Sequence, residues 1–298
     1  MNDNYIAVDW GSTHLRAWHI VDGQCRHRLR LPYGVTRLNG QSAESIFSKY
    51  LLPIGSEQSL PFYLAGMVGS DIGWHPVDYL TCPQPVTALS QHLHQVADNA
   101  WIVPGLKLQR DDGECNVMRG EETLLAGAYQ LHPDTCYVLP GTHSKWVLTS
   151  SGTCNGPQAT VENFTTALTG ELHHLLLGHS LLGAGLPPQA ESPQAFIAGA
   201  RRAQEHPALI SELFGVRAGR ILNKIAACDV SEYLSGLLIG NEIHAMRQHY
   251  QLAQVTLVAD RPLASRYRQL LESAGIAVCL IDPEQAFLQG IRSIHYGR

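Results

Sequence analysis

Charged side chains are scarce in this chain of 298 residues, and lysine is nearly absent. Asp, Glu, Lys and Arg make up 16% of the sequence, against roughly 25% in an average soluble protein. Lysine occurs 4 times and arginine 17 times, and the formal net charge is −5. The chain has no basic stripe of the kind that a nucleic-acid backbone requires. The composition therefore excludes nucleic acid as a partner, and its 45% of hydrophobic residues excludes disorder.

Paired cysteines and long hydrophobic runs are missing as well. The seven cysteines include no C-x-x-C pair, and no cleavable apolar leader precedes them. We therefore expect reduced thiols and a cytoplasmic protein. The most apolar long stretch, 172–188, contains three histidines and ends in two prolines, so that we expect no membrane span.

Familiar nucleotide and metal motifs are also absent. The chain contains neither the Walker pattern nor a G-x-G-x-x-G loop, and the H-E-x-x-H order is missing. One segment is rich in metal-binding residue types, namely Glu171, His173, His174 and His179. Neighbouring side chains point about 100° apart on a helix, so that His173 and His174 diverge. We therefore expect neither a P-loop nor a zinc site.

Strand and helix patterns alternate along the chain, as is typical of the α/β class. Strands are predicted at 5–10, 14–21, 24–31, 62–65, 255–259 and 276–281, and a pair of strands is predicted at 136–149. Helices are predicted at 42–52, 88–97, 120–131, 167–179, 193–204, 206–214, 229–250, 261–273 and 284–295. The length favours two domains, and a composition shift near 150–165 predicts a division into 1–165 and 166–298.

The turn after the first strand has the chemistry of an anion site. Gly11 lets the backbone approach a ligand closely, and Ser12 and Thr13 add hydrogen-bond donors. Asp9 could hold Mg²⁺ through water, because Mg²⁺ takes one or two carboxylates and keeps several waters. Arg16 is a candidate partner for phosphate. A plain β-turn and an exposed strand arginine explain the same residues equally well.

The same pattern of a strand, a glycine-hydroxyl turn, a cation and a returning strand recurs much later in the chain. It comprises Gly141, Thr142, His143 and Lys145. Two such turns are what two lobes need to hold a polyphosphate between them. The repeat therefore favours a polyphosphate ligand.

Two glutamates open the helix predicted at 120–131. The helix dipole favours carboxylates in a first turn, which explains Glu121 and Glu122 without any function. A helix start that faces a cleft could also place Glu121 near a substrate hydroxyl as a general base. Gly120 would let the substrate approach, and Arg119 joins the candidates for substrate binding.

Two polar loops are further candidates for substrate binding. Gly66 and Ser70 belong to a glycine-rich loop that follows a buried strand. Arg37 and Asn39 could bind a carboxylate and hydroxyls. A simple structural loop is the alternative explanation for either segment.

Together these segments resemble a known group of enzymes. The phosphate, catalytic-helix and adenosine motifs of the sugar kinase/heat-shock protein/actin superfamily are matched, in order, at 5–13, 120–123, 140–143 and 255–273. Longer strings resemble the 2-dehydro-3-deoxygalactonokinase family, at 65–74, 116–122, 169–177 and 287–294.

The resemblance implies an α/β, two-lobed actin-like ATPase (ribonuclease H-like) fold, in which each lobe has a mixed sheet with flanking helices. It implies that ATP·Mg²⁺ binds in a cleft, and that the γ-phosphoryl group moves to the C6 hydroxyl of 2-dehydro-3-deoxy-D-galactonate in D-galactonate catabolism. Asp9 would hold hydrated Mg²⁺ and Glu121 would be the base, where related sugar kinases have an aspartate. Phosphate contacts would fall to Gly11, Ser12, Thr13, Gly141 and Thr142.

The adenosine motif departs from the superfamily pattern at Asp260. The superfamily usually has a glycine pair where the strand meets the helix, whereas this chain reads Val258-Ala259-Asp260-Arg261-Pro262. Asp260 and Pro262 make a sound helix start, but a side chain here should crowd or reshape a nucleotide pocket. A kinase for another sugar or sugar acid and a non-catalytic sugar-acid-binding protein with a degraded nucleotide site therefore remain alternatives. A homodimer is left open.

Overall fold

The computed structural model describes residues 3–55, 59–150 and 159–298. Its strands are β1 (Tyr5–Trp10), β2 (Leu15–Val21), β3 (Gln24–Leu31), β4 (Phe62–Ala65), β5 (Leu80–Thr81), β6 (Gln84–Pro85), β7 (His94–Ala97), β8 (Ala100–Ile102), β9 (Leu106–Gln109), β10 (Cys115–Met118), β11 (Cys136–Leu139), β12 (Ser144–Ser150), β13 (Thr160–Ala167), β14 (Gln254–Val258) and β15 (Ala277–Ile281). Its α-helices are α1 (Ala43–Ile46), α2 (Leu52–Gly55), α3 (Ala88–Gln91), α4 (Glu121–Leu131), α5 (Thr169–His179), α6 (Pro193–Glu205), α7 (Leu209–Ile221), α8 (Val230–His249), α9 (Arg261–Ser273) and α10 (Pro283–Gly297).

The first sheet carries the amino-terminal hairpins, in the strand order β3-β2-β1-β4-β8-β7. β1 pairs antiparallel with β2 and parallel with β4. Asp22 and Gly23, with φ of 51° and 72°, form the two-residue turn between β2 and β3, as hairpin turns require. The strands predicted at 5–10, 14–21 and 24–31 are therefore present, and they are neighbours in one sheet. β4 is buried along its whole length, as expected for a strand covered on both faces.

Two further sheets have the orders β10-β9-β5 and β15-β14-β11-β12-β13-β6. In the larger one, β11 runs parallel to β14, with Tyr137 opposite Thr256. β11 and β12 flank the second glycine-hydroxyl turn, as β1 and β2 flank the first. The repeated sequence pattern therefore corresponds to two hairpins in two different sheets.

Helix α4 is held against α10 by two glycines that bring the backbones close together. A Cβ on Gly127 would lie 1.7 Å from the carbonyl oxygen of Ala286, and one on Gly290 would lie 2.0 Å from that of Thr123. Such distances leave no room for a side chain at either glycine. The position of α4, and with it the position of the two glutamates at its start, is therefore fixed by direct backbone packing.

The second half of the chain contains the longest described helix, α8, of 20 residues. Its buried residues are mainly apolar, and Leu234, Leu237 and Leu238 belong to a core that includes Val216 of α7. Within the described ranges, no helix is both long and apolar enough to cross a membrane.

The chain divides into two compact units that are discontinuous in sequence. The first unit comprises Met1–Thr135, Val147–Phe164 and Ile281–Arg298, and the second comprises Cys136–Trp146 and Thr165–Leu280. The predicted lobes, 1–165 and 166–298, form a simpler division and stay a prediction. Part of the composition shift behind it, 151–158, lies outside the described residues.

Two local predictions were wrong. The helix predicted at 88–97 ends at Gln91, and β7 follows because His94 pairs with Ile102 of β8. The helix predicted at 206–214 begins at Leu209 and continues to Ile221. The first error arises because strand pairing outweighs the local pattern.

Candidate active site

The carboxyl ends of β1 and β4 meet the start of α4 at one edge of the first sheet. Asp9 lies opposite Ala65 in the parallel register. Gly66 follows with φ of 93°, and a Cβ there would lie 3.0 Å from the carbonyl oxygen of Trp10 and 3.6 Å from Oδ1 of Asp9. A Cβ on Gly120, which has φ of 105°, would lie 3.2 Å from Cα of Gly66. The structure thus brings together three segments that the sequence singles out separately.

The carboxylate of Asp9 pairs with Arg16 across the β1–β2 hairpin. The two residues are opposite in the register, and Nε of Arg16 donates to Oδ2 of Asp9 at 3.1 Å. Nη2 of Arg16 donates to the same oxygen. Asp9 is half-buried and Arg16 is half-exposed. Arg16, the predicted phosphate partner, therefore forms an ion pair with Asp9, the predicted metal-binding carboxylate.

The turn at 11–13 is supported through its backbone. Val35 and Thr36 donate their N–H groups to the carbonyl oxygens of Gly11 and Ser12, each at 3.0 Å. The hydroxyl of Thr36 adds a second bond to Ser12, at 2.7 Å. Ser12 and Thr13 stay exposed at the surface. The loop behind the turn therefore fixes the turn without using the Ser12 hydroxyl.

The two glutamates at the start of α4 have different environments. Oε2 of Glu121 accepts the N–H of Arg119 at 3.0 Å, and this side chain is half-buried. Glu122 is only 1% exposed, and its Oε2 accepts the N–H of Gly120 at 2.6 Å. Burial, with the neighbouring charge of Glu121, raises the pKa of Glu122 to about 8. Glu122 is therefore protonated at neutral pH, and Glu121 is the more accessible of the two carboxyl groups.

Glu122 is a site residue that sequence reasoning treated only as a first-turn acid. The signal for it was present in the sequence as two adjacent acids before an apolar helix. What the sequence could not show is which of the two points into the core, because the helix phase is set by the packing of α4 on α10.

The guanidinium of Arg119 is buried against the loop that follows β4. Nη2 donates to the carbonyl oxygen of Val77 at 2.5 Å, and the group lies 4.1 Å from the ring centre of Tyr79. Arg119 is only 9% exposed, and a Cβ on Gly69 would lie 2.8 Å from its Nη1. Arg119 therefore joins this loop to the start of α4, and its predicted contact with substrate stays a prediction.

The other predicted substrate residues lie in turns. The hydroxyl of Ser70 donates to the carbonyl oxygen of Met67 at 2.7 Å. Arg37 and Asn39 are exposed, and Asn39 has φ of 53°. Their role in binding a sugar acid stays a prediction.

The turn at 141–143 belongs to the second unit and rests on the start of α5. The N–H of Glu171 donates to the carbonyl oxygen of Thr142 at 2.9 Å, and Nε2 of His143 lies 2.7 Å from Oε2 of Glu171. A Cβ on Gly170 would lie 2.3 Å from the carbonyl oxygen of Gly141. The three turn residues are exposed. The helix start therefore forms a rigid support for an exposed turn.

Two further candidates lie in this unit, namely Lys145 of the repeated pattern and Asp260 of the adenosine motif. Lys145 is only 4% exposed, so that it lies inside β12 and not on the exposed turn. Asp260 is the N-cap of α9, and its side chain accepts the N–H of Leu263 at 3.5 Å. Pro262 lies in the first turn of the same helix. The interpretation of Asp260 and Pro262 as a helix start is confirmed.

The donor set near Asp9 fits a hydrated magnesium ion. No group of three or more His, Cys, Asp or Glu residues that could hold a metal ion occurs in the described ranges. The described residues therefore offer no metal site built from such side chains alone. Mg²⁺ bound with a nucleotide needs only one or two carboxylates besides phosphates and waters. Asp9 supplies one such carboxylate.

The chain is similar to characterised proteins over nearly its whole length. A family model described as 2-keto-3-deoxy-galactonokinase matches residues 9–294. Over 296 residues the chain is 46% identical to the 2-dehydro-3-deoxygalactonokinase of Escherichia coli (strain K12), which covers 99% of this chain and 98% of that protein. Among solved structures, a candidate 2-dehydro-3-deoxygalactonokinase from Sinorhizobium meliloti is 33% identical with a TM-score of 0.86, and 97% of each chain is covered.

A more distant similarity concerns the fold alone. The activator of the 2-hydroxyisocaproyl-CoA dehydratase from Clostridium difficile, solved with bound ADPNP, is 10% identical with a TM-score of 0.51. The match covers 99% of this chain and 95% of that chain. The predicted α/β fold of the actin-like ATPase class, with mixed sheets and flanking helices, is confirmed.

Proposed function

This chain belongs to the 2-keto-3-deoxy-galactonokinase family, and from that premise we propose that it transfers the γ-phosphoryl group of ATP to the C6 hydroxyl of 2-dehydro-3-deoxy-D-galactonate. The products are the 6-phosphate of the sugar acid and ADP, with release of the hydroxyl proton. The observation that carries the catalytic part is the convergence of Asp9, Gly66 and the start of α4. This places an accessible carboxylate in each of two adjoining segments.

Glu121 is the general base in this proposal. Its carboxylate accepts the proton of the C6 hydroxyl as that oxygen attacks the γ-phosphorus, and the bond from phosphorus to the ADP oxygen breaks. Such help contributes about 10²–10⁴-fold in rate. The assignment favours Glu121 over Glu122, because Glu122 is buried, protonated at neutral pH and bonded to the N–H of Gly120.

Asp9 is the metal-binding residue, and it acts through water. When bound, Mg²⁺ neutralises negative charge on the phosphate oxygens of ATP. Arg16 holds the Asp9 carboxylate in position through its two donors. It competes with the metal for the same oxygen, so that Arg16 tunes the affinity for Mg²⁺ and need not touch phosphate.

The exposed turns bind phosphate, each through backbone N–H groups and hydroxyls. In the first unit these belong to Gly11, Ser12 and Thr13, of which Gly11 donates its N–H to the carbonyl oxygen of His14 at 3.0 Å. The loop behind the turn bonds to the carbonyl oxygens of Gly11 and Ser12. In the second unit they belong to Gly141 and Thr142. Asp260 is explained as an N-cap, so that its presence is no evidence for a lost nucleotide site.

Sugar-acid recognition falls to the first unit in this proposal. We infer that the enzyme acts in the cytoplasm, where ATP is available. The polar side chains offered by its loops are Arg37, Asn39 and Ser70. Arg119 supports these loops from inside through Val77 and Tyr79. Gly66 keeps the approach to Asp9 open, because any side chain there would meet the Trp10 carbonyl oxygen.

A coupled ATPase assay with two epimeric sugar acids tests the proposal. We expect ATP- and Mg²⁺-dependent turnover with 2-dehydro-3-deoxygalactonate, and kcat/KM at least about tenfold lower with 2-dehydro-3-deoxygluconate. The reverse preference would make the chain a kinase for another sugar acid. Binding of the sugar acid in calorimetry without any binding of ATP·Mg²⁺ would support the non-catalytic alternative.

A further inference from the structure

A buried carboxylate in the middle of α8 collects three hydrogen bonds from distant parts of the second unit. Glu242 is only 5% exposed. Its Oε1 accepts the indole N–H of Trp146 at 2.7 Å. Its Oε2 accepts the hydroxyl of Tyr267 at 2.7 Å and also the hydroxyl of Thr169. A buried carboxylate is costly unless such donors surround it. The position of these donors around Glu242 therefore calls for a structural explanation.

The partners of Glu242 lie on both sides of the turn at 141–143. On one side, β12 begins directly after the turn with Ser144, and the hydroxyls of Ser144 and Tyr267 lie 2.9 Å apart. Trp146, two residues further along β12, bonds to Glu242 itself. On the other side, Thr169 is the first residue of α5. One carboxylate therefore fixes both the strand that leaves the turn and the helix that supports it.

The start of α5 transmits this constraint to the turn. Gly170 and Glu171 directly follow Thr169, and both touch the turn. Glu171 donates its N–H to Thr142, and the missing side chain of Gly170 lets the helix pack against Gly141. A displacement of Thr169 therefore moves the surface on which the turn rests.

We propose that Glu242 is a positioning residue for the phosphate-binding turn at 141–143. It fixes the starts of β12 and α5, and so it sets the affinity for the phosphates of ATP·Mg²⁺ without touching them. The inference rests on the proposed function, in which this turn binds phosphate. It adds a residue that lies in no phosphate, catalytic or adenosine motif.

Replacing Glu242 by glutamine tests the proposal. The amide keeps the size of the side chain but turns one acceptor into a donor, so that it cannot accept from Trp146 as well as from Thr169 and Tyr267. We expect KM for ATP·Mg²⁺ in the coupled assay, and the dissociation constant for ATP·Mg²⁺ in calorimetry, to rise about tenfold. KM for the sugar acid should stay within about twofold of the wild-type value.

Glu232→Gln is the matched control. Glu232 lies on the same helix, is also buried, and pairs with Arg266 at 2.5 Å. The same chemical change there should leave both KM values within about twofold. A second variant, Tyr267→Phe, removes one hydroxyl from the network without changing a carboxylate, and should raise KM for ATP·Mg²⁺ about threefold.

The outcomes separate the positioning role from general stability and from the proposed function. An unchanged KM for ATP·Mg²⁺ in both Glu242→Gln and Tyr267→Phe would overturn the inference. Equal changes of KM for ATP·Mg²⁺ and KM for the sugar acid in Glu242→Gln would also overturn it, as would the same rise of KM for ATP·Mg²⁺ in Glu232→Gln. If Glu242→Gln does not fold, Tyr267→Phe decides. A wild-type protein that binds ATP·Mg²⁺ but phosphorylates no sugar acid contradicts the proposed function, and calorimetry on the variants still decides the role of Glu242. A wild-type protein that binds no ATP·Mg²⁺ overturns both.

Discussion

The two glycine-hydroxyl hairpins share a sequence pattern but differ in what holds them and in what they carry. The hairpin of β1 and β2 places charged groups at the surface, with Asp9 paired to Arg16. The hairpin of β11 and β12 has the apolar Leu139 at the position of Asp9, and its cation Lys145 is buried. The first hairpin is tied by backbone bonds from a neighbouring loop, the second by a helix start and a buried carboxylate.

Reactive side chains and rigid support are therefore supplied by different regions of the molecule. Side chains that can bind a metal or a proton gather near the first hairpin and the start of α4, in the first unit. The second hairpin offers an exposed turn on a rigid support. Substitutions in the first region should therefore change kcat or metal dependence, and substitutions behind the second turn should change nucleotide affinity.

The largest effect is expected for Glu121→Gln, which removes the proposed base. We expect kcat to fall by about 10²–10⁴-fold with the dissociation constant for ATP·Mg²⁺ unchanged. Steady-state kinetics and calorimetry measure the two quantities. Glu121→Asp keeps a carboxylate on a shorter side chain and should retain intermediate activity. A wild-type kcat in the Glu121→Gln enzyme would show that Glu121 is not the general base.

Gly170→Ala should damage the second region through packing. The added methyl group would meet the carbonyl oxygen of Gly141 at 2.3 Å, so that α5 or the turn has to move. We expect a loss of about 1–3 kcal/mol in the free energy of unfolding, together with a raised KM for ATP·Mg²⁺.

Gly178→Ala is the control for this prediction, because the same helix has open space there. It should leave KM unchanged and should not lower the free energy of unfolding, since alanine favours the helix by roughly 0.5–1 kcal/mol. Equal behaviour of the two variants in urea unfolding and in kinetics would contradict the idea of a rigid support.

The free energy of unfolding depends on pH through Glu122, in the first region. The folded-state pKa of Glu122 is about 8 against 4.5 for the ordinary group. The protonated form therefore stabilises the fold fully below pH 4.5, and this contribution is lost as the pH rises towards 8. The slope is at most roughly 1.4 kcal/mol per pH unit.

Glu122→Gln should remove that part of the slope, because glutamine stays neutral. Urea unfolding between pH 5 and 8, compared with the wild-type protein, measures the difference. Glu44→Gln changes an exposed glutamate in the first turn of α1 and should leave the slope as it is. A wild-type slope in the Glu122→Gln protein would contradict the assignment of the proton.

The smallest effect is expected for Arg16→Gln. Exposed ion pairs contribute about 0–1 kcal/mol, so that the free energy of unfolding should change little. Removing the cation from Asp9 should lower the Mg²⁺ concentration needed for half-maximal rate by about threefold. A rise in KM for ATP instead would show that Arg16 binds phosphate. Arg28→Gln, which breaks a surface pair between β3 and Glu284 of α10, should change neither quantity.

Features that depend on neighbouring residues were predictable from the sequence. The Asp22-Gly23 turn, the Ser42 cap of α1 and the Asp260 cap of α9 are all present, because turn and cap chemistry is decided within a few residues. The family motifs added the two hairpins and the helix start that carries Glu121. These segments fix the backbone of the site.

Features that depend on distant partners could not be predicted. Glu242 stands in an otherwise ordinary helix, and Trp146 and Thr169 are 96 and 73 positions away from it in the sequence. The sequence likewise could not show that the guanidinium of Arg119 packs on the ring of Tyr79. Burial of a long polar side chain is decided by tertiary packing, which neither composition nor spacing records.

The packing of α10 on α4 has a consequence for the order in which the protein can become active during synthesis. The ribosome makes the start of α4 early, but Ala286 and Gly290, against which α4 packs, come more than 150 residues later. Phe287, which lies 5.3 Å from Trp18 between ring centres, arrives at the same late stage. A nascent chain would thus hold its proposed base on an unsupported helix until translation has passed residue 290. Correct placement of Glu121 therefore depends on a helix that is made much later than α4 itself.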